Sequence, residues 1–295
     1  MQITASMVKE LRDRTGAGMM ECKRVLTQSN GDMDSAIELM RKSGLAKADK
    51  RASRIAAEGV ISSAISADGN QAAIIEVNCE TDFVSKGDEF RNFASAVVSQ
   101  ILAKSLASLD DLGQTPLSEG EQTSIEQVRQ ELVAKIGENI RIRRFERVVS
   151  KLGQIGHYLH GYRIGVLVDI EGKDQVLAKD IAMHIAASRP LCVTESEVPK
   201  ALLEKEKEIL SAQAQASGRP ANIIDKMVQG RLKKYLGEVT LLGQPFVKDP
   251  NQSVGKLLAQ SGTRVKRFVR FEVGEGIEKK TENFAEEVMA QVTGS

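Results

Sequence analysis

"GVISSAISADGNQAAIIEVN" (residues 59–78) reads as two strands hinged at Asp68-Gly69, a dipeptide suited to a tight hairpin turn. The chain leaves the second strand through "VNCETDFVSKGDEFRNF" (77–93), which sets Phe83 beside Asp82 just before a helix. In that helix Ser85 and Asp88 are spaced as a capping box requires, and Phe90, Phe93, Val97 and Ile101 share one face. A polar loop (104–120), the helix "EQVRQELVAKIG" (126–137) and the strand "RIRRFERVV" (141–149) follow. The order then repeats in pattern more than in letters. "GQIGHYLHGYRIGVLVDIEG" (153–172) is a second hairpin and "QVLAKDIAMHIAAS" (175–188) its helix. After an interruption, "VGKLLAQSG" (254–262) and "RVKRFVRFEVG" (264–274) complete the second copy. Two ββα…αβ units, each a three-stranded antiparallel sheet covered by helices, predict an α+β core.

Around that core the sequence divides as follows. Residues 1–44 read as three short helices: Thr4 or Ser6 caps the first, "TGAG" (15–18) breaks it, Asn30-Gly31 stops the second, and Asp32 caps a third that ends at Gly44. So small a module leans on a neighbour or a partner. Residues 45–58 read as a basic linker with Lys47, Lys50, Arg51 and Arg54, 59–150 as the first core half, and 151–192 with 240–275 as the second. Inserted between them, 193–239 reads as a helical hairpin turning at Gly218-Arg219-Pro220, with Leu202, Ile209 and Ala216 in heptad spacing along its seam. The end of the chain (276–295) carries a short amphipathic helix over 281–292.

Composition narrows the functional classes. Of 295 residues, 41% are hydrophobic and 27% charged, and 41 Lys+Arg against 40 Asp+Glu leave a formal charge of +1. Nothing in that balance favours nucleic acid or an acidic membrane. Cys22, Cys79 and Cys192 are odd in number, far apart and without CxxC spacing, so neither a disulfide framework nor a zinc ribbon is indicated. The first residues lack the apolar core of a signal peptide, and no apolar run reaches the ~20 residues of a membrane span, which predicts a cytoplasmic protein.

Candidate chemistry is sparse. Glu76, Glu80 and Asp82 have no histidine near them in sequence, and solvated carboxylates at a strand end are their simplest reading. His157 and His160 sit three apart in a strand and point to opposite faces, which argues against a shared metal; His184 reads as a hydrogen-bonded core histidine. No phosphate-cradling loop and no nucleophile elbow occurs. The sequence therefore predicts neither enzyme nor cofactor. Interaction features are stronger. Met19 and Met20 open a helix, one placed to pack inward and the other to stay accessible, with Lys23 one turn on. Phe83 fits neither the strand's phase nor the helix's, and an exposed aromatic beside a charge suits an anchor entering a partner's pocket.

These residues, with others from end to end, closely resemble the bacterial translation elongation factor Ts family. The similar segments are "ITASMVKELRDRTGAGMMECKRVL", "VNCETDFV", "KIGENIRIRR", "HGYRIGVLV", "IAMHIAAS", "GEVTLLGQPFV" and "RFEVGEGIEK". The resemblance implies a guanine-nucleotide exchange factor for elongation factor Tu. It implies docking on the partner's GTPase domain through Lys9, Arg12, Met19, Met20 and Lys23. Thr81, Asp82, Phe83 and Val84 would then enter near the Mg2+ site, His160 would face the phosphate side, and Phe246 and Val247 would reach a second domain. Lys248 departs from the family where an apolar residue would suit a dry contact. The hairpin resembles the family's dimerisation arm, whose use varies among relatives: it would serve either a homodimer and a 2:2 complex or a contact with the partner. An RNA- or ribosome-binding adaptor using the basic linker and the charged hairpin is the rival from another class.

Overall fold

The computed structural model describes residues 3–106, 108–172, 174–216 and 220–278; the amphipathic helix expected over 281–292 and the turn residues Gly218 and Arg219 lie outside them. Three helices come first: α1 (Ala5–Thr15), α2 (Met19–Gln28) and α3 (Met33–Arg51). Thr4 rather than Ser6 caps α1, its side chain accepting from the Met7 amide, and Asp32 accepts from the Ser35 amide to start α3. Val8, Leu11, Cys22, Val25, Leu26 and Ala36 make the small core between them.

The third helix does not stop at Gly44. It runs on to Arg51 through the segment read as a basic linker. The residues after Gly44 are mostly strong helix formers, and one internal glycine costs only about 1 kcal/mol against alanine. Packing supplies the rest. Ala48 is buried in the first core half, and the Arg51 guanidinium donates to the Val133 carbonyl (2.9 Å). The extension mounts the N-terminal module on the core.

The first core half comprises β1 (Glu58–Ile65), β2 (Gln71–Cys79), α4 (Asp82–Lys86), α5 (Asp88–Ala103), α6 (Leu109–Gln114), α7 (Ile125–Ile136) and β3 (Arg141–Val149). A short helix, α6, thus stands where the polar loop was expected. The second half comprises β4 (Gln154–His160), β5 (Ile164–Glu171), α8 (Gln175–Ser188), then, beyond the insertion, β6 (Pro245–Phe246), β7 (Asp249–Ser253), α11 (Val254–Gln260) and β8 (Arg264–Glu272). The inserted hairpin is α9 (Lys200–Gln215) and α10 (Ala221–Val239). Both three-stranded sheets are antiparallel, ordered β1-β2-β3 and β4-β5-β8, as the duplication predicts, and β6 pairs with β7 in a separate two-stranded ladder.

Strand alternation sends side chains to two different cores. Ile75 and Val77 pack under α5 and α7 with Phe90, Phe93, Val97 and Ile101, while Ile74 faces the other way and meets Ile61, Leu167 and Phe271 between the sheets. The second sheet mirrors this, with Val166, Val168 and Ile170 under Ile181 and Ile185 of α8. The duplication extends to an irregularity. In both middle strands the register slips just after a buried acid, at Glu76/Val77 and at Asp169/Ile170.

Close approach of the sheets depends on Gly165. A Cβ there would lie 2.5 Å from Ile61 Cγ2 and 2.9 Å from Ile74 Cδ1. Gly165→Ala is expected to cost about 1–3 kcal/mol in urea denaturation, because stiff β-branched neighbours must shift. Gly230→Ala, in α10 with open space around it, is the contrast and should gain up to about 1 kcal/mol.

The seam of the inserted hairpin is rotated from the expected one. Leu210, Ala214 and Val228 are buried, joined by Ile224 and Leu232, whereas Leu202 and Ile209 are exposed. A one-residue error in phase turns a helix by about 100°, enough to put the expected seam outside.

Candidate partner-binding surface

Phe83 is 83% exposed, although the strand before it and the helix after it belong to the core. Its setting is a one-turn helix rather than an open turn. Thr81 caps α4, accepting from the Val84 amide. Ser85 does not form the expected capping box; it is buried and donates back to the Asp82 carbonyl (3.0 Å), and α5 starts after Gly87 without a side-chain cap.

What holds α4 is Glu138. Its carboxylate accepts from the Glu80 and Thr81 amides (both 3.0 Å) and from the Thr81 hydroxyl (2.6 Å). Glu80 returns the contact, accepting from the Asn139 amide (2.6 Å) and pairing with Arg54 (3.6 Å). Charge-assisted bonds of this kind are about twice as strong as neutral ones, so the base of Phe83 is fixed while its ring is free. No spacing rule links Glu138 to residues 57 positions earlier in the chain, and the sequence reading missed it. Its only local signal is its place directly after Gly137, whose left-handed backbone ends α7.

Asp82 pairs with Lys86 (2.5 Å), and hydrogen bonding to that ammonium holds its carboxyl below the ordinary range. It is therefore ionised at neutral pH. Val84 is half-buried and packs on the first core. The three acids near this turn are not alike: Asp82 is partly exposed, but Glu76, expected to be solvated, is fully buried. Arg143 (3.0 Å), Arg144 (2.6 Å), Asn78 (3.1 Å) and the Gly274 amide (2.8 Å) all donate to it.

Met19 and Met20 open α2 and are both exposed, at 53% and 78%, so neither packs inward. The helix starts there and its buried face begins at Cys22. Lys9, Arg12 and Lys23 are exposed, with no carboxylate in ion-pair range among the described residues. A run of contacts leads from this module to the start of α5, the helix after α4. A Cβ on Gly16 would sit 2.8 Å from the Lys135 side chain, and Lys135 pairs with Glu89 (2.6 Å) at the start of α5. On the other side His160 is exposed at the end of β4, its Nδ1 3.2 Å from the Tyr158 hydroxyl. Among the described residues no cluster of His, Cys, Asp or Glu is placed to hold a metal ion, and no helix is long and apolar enough to cross a membrane.

Known proteins resemble the chain over its whole length. The chain is 63% identical over 295 residues to elongation factor Ts of Methylococcus capsulatus, covering all of both chains. The family model described as Elongation factor TS matches residues 80–275.

The chain belongs to the elongation factor Ts family.

It is accordingly a factor of translation elongation. Relatives of the same name from Thioalkalivibrio sulfidiphilus (61% over 296 residues, all of both chains) and Legionella pneumophila strain Paris (56% over 290 residues, 98% of each) agree. Within this elongation factor Ts fold the second patch needs correction. Phe246 is buried in the second core, its ring 5.9 Å from that of His184, and only Val247 is exposed. Phe246 ends β6 with its side chain in the core, and Val247 lies in the turn that follows. Lys248 is paired with Asp180 (2.6 Å).

His184 is the core histidine expected. Its Nδ1 accepts from the Val247 amide (3.2 Å), so Nε2 carries the proton and donates to Gln244 Oε1 (3.0 Å). Burial holds its pKa below the ordinary 6.5. As pH falls through that value the unfolded chain takes up the proton first, so stability is steady above about 6.5 and declines below it. Melting temperature measured from pH 7 to 5 should fall, and His184→Gln should flatten part of that slope.

Proposed function

We propose that the chain is a guanine-nucleotide exchange factor for elongation factor Tu, working in the cytoplasm and performing no covalent chemistry. The observation that carries this reading is Phe83, a fully presented aromatic on a one-turn helix whose base is latched by Glu138. The partner holds GDP through phosphate contacts and a bound Mg2+, an ion that tolerates little departure from octahedral geometry. Inserting Phe83 displaces the groups that support that ion, while Asp82 exchanges Lys86 for a polar group of the partner. Lys9, Arg12, Met19, Met20 and Lys23 provide docking, His160 approaches the phosphate side, and Val247 touches a second domain. Residues 1–44 act as the docking module and 193–239 as an arm, whose exposed Leu202 and Ile209 support a homodimer and a 2:2 complex.

Exchange requires only that the factor bind the nucleotide-free partner more tightly than the GDP-bound one. By linkage, the factor by which it weakens GDP equals the factor by which GDP weakens it. Titration calorimetry with nucleotide-free and GDP-bound elongation factor Tu should give affinities differing about a thousandfold. Equal affinities would defeat the proposal. Met20→Ala should weaken binding to both forms by similar factors, the mark of docking rather than of exchange.

A further inference from the structure

One contact joins α4 to the second core half, and none of the assigned roles uses it. Arg91, in the first turns of α5, donates from Nε to the Ser85 carbonyl (3.1 Å) and lays its guanidinium over the Tyr162 ring, 3.9 Å from the centroid. Ser85 belongs to the last turn of α4, where helix carbonyls lack internal donors and a cation is favoured. Tyr162 lies in the tip of the β4–β5 hairpin, directly after His160-Gly161, and is itself 47% exposed. Its carbonyl accepts from the Ile61 amide of β1 (2.7 Å), and neighbouring Arg163 pairs with Glu58 (3.1 Å), so the hairpin tip is held against the first half. Glu138 thus fixes the N-terminus of α4, and Arg91 fixes its C-terminus to the element that carries His160.

We infer that Arg91 and Tyr162 are positioning residues that couple the Phe83 contact to the His160 contact, so that the two engage the partner as one rigid unit. The functional consequence rests on the exchange reading; the mechanical link does not. A guanidinium stacked on an aromatic face and hydrogen-bonded at a helix end has one preferred geometry, whereas lysine offers a point charge without that plane. Loss of the stack frees the guanidinium that ties the last turn of α4 to the hairpin tip.

The link is tested first in the free protein by amide hydrogen exchange. The Val84, Ser85 and Gly87 amides, which close α4 on Thr81 and Val84, should exchange about tenfold faster in Tyr162→Ala and in Arg91→Gln, a local opening without global unfolding. Tyr162→Phe keeps the ring and should match the wild type. Unchanged α4 exchange in Tyr162→Ala, with the fold intact, would overturn the inference. The consequence is then read from GDP release by elongation factor Tu in a double-mutant cycle of Phe83→Ala and His160→Ala. Non-additivity of about fivefold or more is expected in the wild-type background, reduced to additivity in Tyr162→Ala and kept in Tyr162→Phe. Additivity in the wild type, or non-additivity that survives Tyr162→Ala, would also overturn it. A wild type that does not accelerate release would instead remove the exchange reading, and amide exchange would still decide the link.

Discussion

Phe83→Ala is expected to reduce the acceleration of GDP release about 30-fold while melting like the wild type. Two observations set those expectations. The ring is 83% exposed and belongs to no core cluster, so removing it should change stability by no more than about 0.5 kcal/mol, as for an ordinary surface site. The backbone beneath it is held by Thr81, Glu80 and Glu138, bonds that alanine leaves in place. An aromatic that enters a desolvated pocket commonly accounts for 2 kcal/mol or more of binding, which is about a factor of 30. On the role proposed for the ring at the partner's Mg2+ support, the loss should fall on the maximal release rate rather than on the concentration needed to reach half of it. Asp82→Ala should have a smaller effect of the same kind, since it loses an exposed pair with Lys86 in the free protein and one polar contact, not a desolvated ring, in the complex.

The other large effect is on stability. Glu76→Ala should lower the unfolding free energy by about 3–5 kcal/mol, the usual result of removing one partner from a buried, hydrogen-bonded ion pair. Glu76 is fully buried, and its two oxygens receive Arg143, Arg144, Asn78 and the amide of Gly274. Arg143 and Arg144 continue to the carbonyl of Glu275 (2.5 Å) and to that of Glu272 (3.2 Å), so one carboxylate ties the first sheet to the end of β8. Without it, two guanidinium groups lose their buried counter-charge and the Gly274 amide at the joint between the halves loses its acceptor. Glu76→Gln keeps one acceptor oxygen and the shape, and should lose less. Urea denaturation measures both; a Glu76→Ala midpoint within error of the wild type would show that the joint is held elsewhere.

Much of this architecture was legible because period-2 alternation and turn chemistry dominate the hairpins. Asp68-Gly69 marks a turn, and Phe90, Phe93, Val97 and Ile101 all enter the core as their spacing requires. The exposure of Phe83 was legible as a break in phase. Several of the misreadings share one cause, which is that partners distant in sequence decided the outcome. Packing of Ala48 and Arg51 against the core carried α3 past a glycine that would otherwise have been a fair stop. The seam of the helical hairpin was set by the facing residues Ile224, Val228 and Leu232, and heptad counting on one helix alone put it one residue out of phase. Glu76 looked solvated because its arginines come from another strand, and Phe246 looked available because His184 lies more than sixty positions before it. The latch from Glu138 to Thr81 has no pattern of its own in sequence. The resemblance identified the segment around it, but what that carboxylate does is visible only in three dimensions.

On the proposed function, this chain opens the nucleotide site of elongation factor Tu. Stopped-flow release of fluorescent GDP from that partner, with increasing amounts of the wild-type protein, tests it directly. A large, saturating acceleration over spontaneous release is predicted. Release that stays at the spontaneous rate in the presence of a folded wild-type protein would contradict the account and bring forward the nucleic-acid adaptor, whose binding should weaken steeply with salt.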